Sequence, residues 1–476
     1  MSICTSLVIA PGRALLRTTH RTTSTEVVSP DKASGGSVGV GVKYGSTTTP
    51  TIYPDSSASD SGSSHPAYRW YVLGVLMIVY AFSFMDRQIV SILLEDLRAE
   101  FLLTDTQLGL LSGIAFALFY ATLGVPIARL ADRSHRVRIV SIAITVWSVM
   151  TAVCGLAGSF WQLFLARIGV GIGEAGGGPP SHSIVSDYFD ATQRSVAMSI
   201  YSMGPTVGSF IGLAAGGWIA QEYGWRWAFA AVGLPGLLLA IILYSTVREP
   251  VRGALDDNRE PANREDFLAT VRVLVKNRLW FWNMLGHTFA IFIGYGFSSW
   301  KPALYLRQFE LSQAEVGTLL GTMGLVIGIP GLLIGGLIGD RLIARSRRLA
   351  VLCIGYATLL VIPFYALGLM AEGWLLTTVL LGTGLIFYQL GYGTSISIGM
   401  SAVAPHQRAL AASFGFLTAN MLGLGLGPLL VGAISDAAER SFGDRSLAFA
   451  LGVCLLSLVL AFICYMAAAR AISREA

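Results

Sequence analysis

Long apolar runs separated by short polar punctuation occupy most of the chain. They fall at 70–94, 105–128, 138–157, 161–185, 195–220, 226–247, 280–304, 314–339, 349–370, 373–399, 408–434 and 446–469. Runs of about 20 residues, rising 1.5 Å per residue as helix, cross a hydrocarbon core ~30 Å thick. The pattern therefore predicts an all-α polytopic membrane protein with twelve transmembrane helices. The stretch 248–278 breaks it with seven Lys/Arg and six Asp/Glu. It reads as a polar linker between two six-helix halves, and 263–278 can form a surface helix. The expected divisions are a tail (1–68), an N-terminal half (69–247), a linker (248–279), a C-terminal half (280–470) and a short end (471–476). The tail is rich in Ser, Thr and Gly and lacks periodicity, which predicts disorder. Arg13, Arg17 and Arg21 precede its first acid, Glu26, so a targeting peptide stays open beside a plain flexible tail.

The two halves resemble each other. Leu103–Gly113 returns loosely as Leu311–Gly321, offset by 208 residues, and Asp132-Arg133 returns as Asp340-Arg341 at the same offset. A duplicated unit of membrane helices is the sequence mark of a secondary transporter. Thr104…Gln107 and Ser312…Glu315 both fit capping boxes at the starts of their runs. Small residues recur every fourth position in the second, fifth, eighth and eleventh runs: Gly109/Gly113/Ala117/Ala121, Gly204/Gly208/Gly212/Gly216, Gly331/Gly335/Gly339 and Ala411/Gly415/Ala419/Gly423/Gly427. Such stripes let helix backbones approach closely, which marks these helices as candidates for the interface across which the halves rock.

Composition agrees: of 476 residues 54% are hydrophobic and only 13% charged, too few charges to cover a soluble protein of this length. The net charge of +5 does not point to nucleic acid, because basic residues sit in short loops between apolar runs. With both termini inside, the inner loops and end hold nineteen Lys/Arg against five in the outer loops, which sets a cytoplasmic location for both termini. Five scattered cysteines show no metal-ligand spacing and read as free thiols. No metal or cofactor is expected, and no nucleophile–base set or phosphate loop suggests an enzyme.

Four charges lie at membrane depth: Asp86, Arg87, Arg167 and Glu174. A charge there is costly unless paired or wetted and is a functional candidate. Counting along the first and fourth runs puts Asp86 and Arg167 at similar depth and Glu174 two turns deeper on the same face, so all four can meet in one polar cluster. Glu174 opens the run Glu174-Ala175-Gly176-Gly177-Gly178-Pro179-Pro180, which is unsuited to regular helix. A bend beside a buried acid suits a site that changes shape. The cluster reads either as a proton and substrate site or as a permanent ion-pair tie between two helices. Lys301, before Pro302, is a gate or substrate contact, or it reaches to the headgroups. The second half offers Tyr388, Gln389 and Tyr392 where the first offers charges, a pairing suited to a substrate with a polar head and an apolar body.

Ala128-x-x-x-Asp132-Arg133-x-x-Arg136 and Gly336-x-x-x-Asp340-Arg341-x-x-x-Arg345 resemble the loop motif of the major facilitator superfamily. That resemblance implies the major facilitator fold, a monomer, and a cytoplasmic latch formed by Asp132, Arg133, Arg136, Asp340 and Arg341. Within the superfamily the chain resembles the Spinster group. It does so through Met85-Asp86-Arg87, Arg167-x-x-x-Gly171-x-Gly173-Glu174-Ala175, Pro180, Asp187-Tyr188-Phe189, Trp225-Arg226-Trp227-Ala228-Phe229 and Arg248-Glu249-Pro250-x-Arg252-Gly253. The chain looks like a bacterial relative, so the plasma (inner) membrane is its expected location. The resemblance implies a proton-coupled transporter of an amphipathic lipid, such as a lysophospholipid or sphingolipid phosphate. It makes Asp86, Arg87, Arg167 and Glu174 the coupling and substrate residues. Two other readings stay open: transport of small organic anions clamped by Arg87 and Arg167, and a membrane sensor built on a transporter fold.

Overall fold

The structure, a computed structural model, describes residues 66–131, 133–252, 267–404 and 407–475, and every regular element among them is helical. The first apolar run is α1 (Pro66–Ile92), followed by a short helix, α2 (Leu94–Phe101). The second run forms α3 (Asp105–Ser112) and α4 (Ile114–Ala131), the third α5 (Arg136–Cys154), and the fourth α6 (Phe160–Glu174) and α7 (Gly178–Tyr188). The fifth forms α8 (Ala191–Tyr201) and α9 (Gly204–Tyr223), and the sixth α10 (Trp225–Thr246). After the linker helix α11 (Phe267–Lys276) comes α12 (Arg278–Gln308). The eighth run is α13 (Gln313–Met323), a π-helical turn at Gly324–Gly328 and α14 (Ile329–Arg345). Then follow α15 (Arg347–Met370) and α16 (Trp374–Ser401). The eleventh run comprises α17 (Arg408–Thr418), a π-helical stretch at Ala419–Leu426 and α18 (Gly427–Phe442); α19 (Ser446–Cys454) and α20 (Leu456–Glu475) close the chain.

Nine helical stretches among the described residues are long and apolar enough to cross a membrane, the last of them merging the eleventh and twelfth runs. The fourth run falls outside this set because it is broken into two short helices. So does α12, which carries Asn283, His287, Lys301 and Arg307 along its length. The ends also differ from expectation. α1 starts inside the predicted tail, where the Tyr68 hydroxyl donates to the Thr246 carbonyl and accepts from the Arg248 amide, both at 2.8 Å. At the other end α20 runs through the expected terminal segment to Glu475.

Four of the breaks within runs share one cause. Proline is the second residue of α7, α9, α14 and α18, as Pro179, Pro205, Pro330 and Pro428. Each lacks the amide that would bond to the carbonyl four residues earlier, so the preceding turn opens or widens into a π turn. The sequence reading anticipated this bend only after Glu174.

Glycines serve two kinds of contact between helices. A Cβ on Gly109 would lie 2.6 Å from the Pro428 carbonyl oxygen, and one on Gly432 2.1 Å from that of Asp105. One on Gly317 would lie 2.1 Å from the Leu213 oxygen, and one on Gly217 2.5 Å from that of Gln313. So α3 packs against α18 and α9 against α13 with their backbones touching, bringing the two repeats together. Gly204, Gly208 and Gly212 instead press on α1, and Gly335 and Gly339 on α16. Of the glycines in the four stripes, only Gly109 and Gly113 of the second run meet the other repeat; Gly217, Gly317 and Gly432, which also cross, lie outside the stripes.

Candidate transport site

Gly171 and Gly173 fix the height of α6. A Cβ on Gly171 would meet the Phe116 carbonyl oxygen at 2.5 Å, and one on Gly173 the Trp147 amide nitrogen at 2.6 Å. This close seating on α4 and α5 carries Glu174, the last residue of α6, to Arg87 on α1. Arg87 donates Nε at 2.8 Å and Nη2 at 2.6 Å to Glu174 Oε2, while buried Oε1 has no hydrogen-bond partner. The guanidinium lies 4.8, 4.6 and 4.5 Å from the ring centroids of Phe84, Phe116 and Tyr120, an aromatic clamp. Beside it, Arg167 Nη1 stands 3.6 Å from Asp86 Oδ1, and both side chains are about fully buried, at 2% and 1% exposure. That second pair is loose: neither Asp86 oxygen accepts a hydrogen bond, and Arg167 Nε and Nη1 donate none. The four predicted charges thus meet as two adjacent ion pairs, one tight and one loose.

A cavity of about 330 Å³ opens between the repeats, within the size range of small-molecule sites. Phe84, Gln88, Thr206 and Ser209 line it from the first repeat, Lys301, Tyr388, Gln389 and Tyr392 from the second. The residues predicted as a second polar and aromatic wall therefore share one space. Gln389 donates to the Gly328 carbonyl at 3.1 Å, steadying the π turn of the eighth run. Gln88 Nε2 donates to Ser298 Oγ at 3.1 Å, across the two repeats.

The loop residues are placed differently. Asp132 lies outside the described residues. Arg133 is exposed. Arg136, 2% exposed, binds the first repeat and the start of the linker: Ser183 Oγ at 2.7 Å, Asp187, Glu249 Oε1 at 2.6 Å and the Pro250 carbonyl at 2.9 Å. Asp340 and Arg341 are exposed and make no ion pair with any described residue.

Sequence reasoning missed a polar network at the opposite end. Arg307 grips Asp105 with two bonds, Nη1 to Oδ2 at 2.8 Å and Nη2 to Oδ1 at 2.7 Å, and gives Nε to Glu95 at 2.9 Å. Ser435 Oγ also donates to Asp105, at 2.7 Å. Asp436 of α18 accepts both the Asp105 and Thr106 amides at 2.8 Å, capping α3 from the other repeat. Gln313 reaches the Ile92 carbonyl at 2.8 Å and Asp96 at 2.7 Å. The charges' positions at run ends were visible, but partners 202 and 331 residues apart leave no spacing to read. These contacts hold the two repeats together at this end, which is the outer one on the orientation expected from the basic residues.

The major facilitator superfamily model matches residues 76–428. An MFS-type efflux pump of Mycolicibacterium smegmatis is 31% identical over 88% of this chain and 96% of its own length. The sphingosine-1-phosphate transporter SPNS2 of Danio rerio is 28% identical over 83% of each chain. Among solved structures, a bacterial homologue of the human lysosomal transporter Spinster, inward-facing and unoccupied, superposes with a TM-score of 0.79 at 30% identity, covering 87% of this chain and 99% of that one. The fold, the apolar helices and these likenesses agree: the chain is an integral membrane transporter, not an enzyme, and belongs to the major facilitator superfamily as a relative of the Spinster proteins.

Proposed function

We propose that the protein is a proton-coupled secondary transporter that works by alternating access and moves an amphipathic lipid such as a lysophospholipid or a sphingolipid phosphate. Twelve spans, both termini cytoplasmic, a monomeric unit and a bacterial plasma membrane complete the reading. Its main support is Glu174: a buried carboxyl with one oxygen held by Arg87 and the other free of partners, beside a helix break. A proton arriving at Oε1 weakens the hold of Arg87. When the α6–α7 bend straightens or the repeats part, Arg87 can return and expel it. The loose Asp86–Arg167 pair sits close enough to exchange partners with the tight one. Asp132, Arg133, Arg136, Asp340 and Arg341 would close the inner end in the opposite state, as the outer network closes this one. The named activity of SPNS2 supports a lipid phosphate as cargo.

The test is flux into proteoliposomes under an imposed pH gradient, with fluorescent single-chain lipids and with small organic acids. Lipid flux that follows the gradient, and loses that dependence in Glu174→Gln, is the expected result. Unaltered flux and pH response in Glu174→Gln would remove the carboxyl as the coupling group. The modest cavity volume favours small organic anions as the second reading, which acid uptake without lipid movement would establish.

A further inference from the structure

Three cationic side chains lie near the transport path, and two are already committed. Arg87 spends Nε and Nη2 on Glu174 and stacks on three rings. Arg167 is buried against Asp86. Neither lines the cavity between the repeats, where Lys301 is the only charged side chain among the described residues. Lys301 makes no hydrogen bond or ion pair with any described residue. A half-buried ammonium with no counter-charge is unfavourable, so the position favours an anion that completes it.

The rest of the lining supports this. The two amides there are occupied, Gln88 with Ser298 and Gln389 with the Gly328 carbonyl. Thr206 and Ser209, on α9 in the facing repeat, make no hydrogen bond with a described residue and line the same space. An anion beside Lys301 would find donors on both walls. Leu213, Leu320 and Leu332 continue the lining between α9 and α13–α14, and Leu332 is partly exposed. That apolar strip offers a course for a single acyl chain.

We propose that Lys301 is the subsite for the one anionic group, a phosphate or a carboxylate, of the transported molecule, and that Arg87 and Arg167 do not contact it. Proton handling and anion recognition then reside on different repeats: Glu174 and Arg87 on the first, Lys301 on the second. An anion held between Lys301 and α9 would draw the repeats together while the proton acts on the other ion pairs. The inference rests on the transport reading of this cavity. A lysine, a compact point charge, selects for charge rather than for planar, bidentate geometry.

The experiment uses the purified full-length chain in proteoliposomes. Probes are fluorescent lysophosphatidate, its neutral monoacylglycerol counterpart and inorganic phosphate as competitor. Lys301→Gln should weaken lysophosphatidate binding by about 10–100-fold, the range for losing a charged hydrogen bond. It should leave the monoacylglycerol affinity unchanged and abolish competition by phosphate; Lys301→Arg should keep the preference for the anion. A Lys301→Gln protein that still prefers lysophosphatidate as the wild type does overturns the subsite, as does a wild type that binds neither anion. If phosphate or a short carboxylate moves without any lipid, and Lys301→Gln abolishes that movement, the subsite stands and the lipid reading falls. If lipid moves equally well in both proteins, the lipid reading stands and the subsite falls.

Discussion

Arg307→Ala should release the outer end. In the structure this side chain bridges two carboxylates, with two bonds to Asp105 and one to Glu95. Asp105 is 2% exposed, so truncation leaves a buried charge that has lost its strongest partner. Breaking such a pair costs about 3–5 kcal/mol. The penalty applies to the closed outer end, because separation of the repeats would let Asp105 hydrate. Taking about 3 kcal/mol as the net difference gives a ~150-fold shift in populations toward an open outer end. Spin labels on cysteines replacing Leu102 and Ser441, both exposed at this end, report the distance between repeats by pulsed electron spin resonance. Cys353, the exposed free cysteine among the described residues, is first changed to Ser. A new longer-distance population is expected in Arg307→Ala, and a smaller one in Arg307→Lys, since a point charge cannot make the two-pronged contact. Asp436→Asn, which weakens the cap on α3, supplies a second route if Arg307→Ala does not fold. Identical distance distributions in the parent and both variants would refute the assignment of this network as the outer closure.

Further outcomes follow from single positions. Gly317→Ala should oppose outer closure, because its Cβ would lie 2.1 Å from the Leu213 carbonyl oxygen, whereas Gly324→Ala, with nothing within 4 Å, should not; the same distance measurement separates them. Asp86→Asn should lower the thermal midpoint by stranding Arg167, on the scale of about 3–5 kcal/mol, and Asp86→Asn with Arg167→Gln should recover much of that loss. Near the end of α2, the Arg226 hydrogen bond holds Glu100 below the usual carboxylate range. Its small contribution is therefore present above the unfolded value of roughly 4.3 and fades as pH falls through the lower folded value. Glu100→Gln should flatten the acid limb of a melting-temperature profile by a small amount and leave neutral pH nearly unchanged, as expected of an exposed pair.

Much of the architecture was legible because membrane insertion is a one-dimensional constraint. Run length suffices to read the helices, and both capping boxes formed as the sequence indicated. Charge at bilayer depth singled out Asp86, Arg87, Arg167 and Glu174, because hydrocarbon tolerates so few. What the sequence could not state is partnership. Whether Arg87 or Arg167 would hold Glu174 depended on how deeply α6 settles onto α4 and α5, a matter of contacts at Gly171 and Gly173. The glycine stripes announced close approach without saying which helix approaches: the glycines of the second-run stripe meet the other repeat, while those of the other three serve packing inside a repeat. The Arg307–Asp105–Asp436 network was invisible because its members are ordinary polar residues at run ends, hundreds of positions apart. Only the docking of one repeat on the other brings them within hydrogen-bonding distance, and the same docking leaves Lys301 alone in the space between.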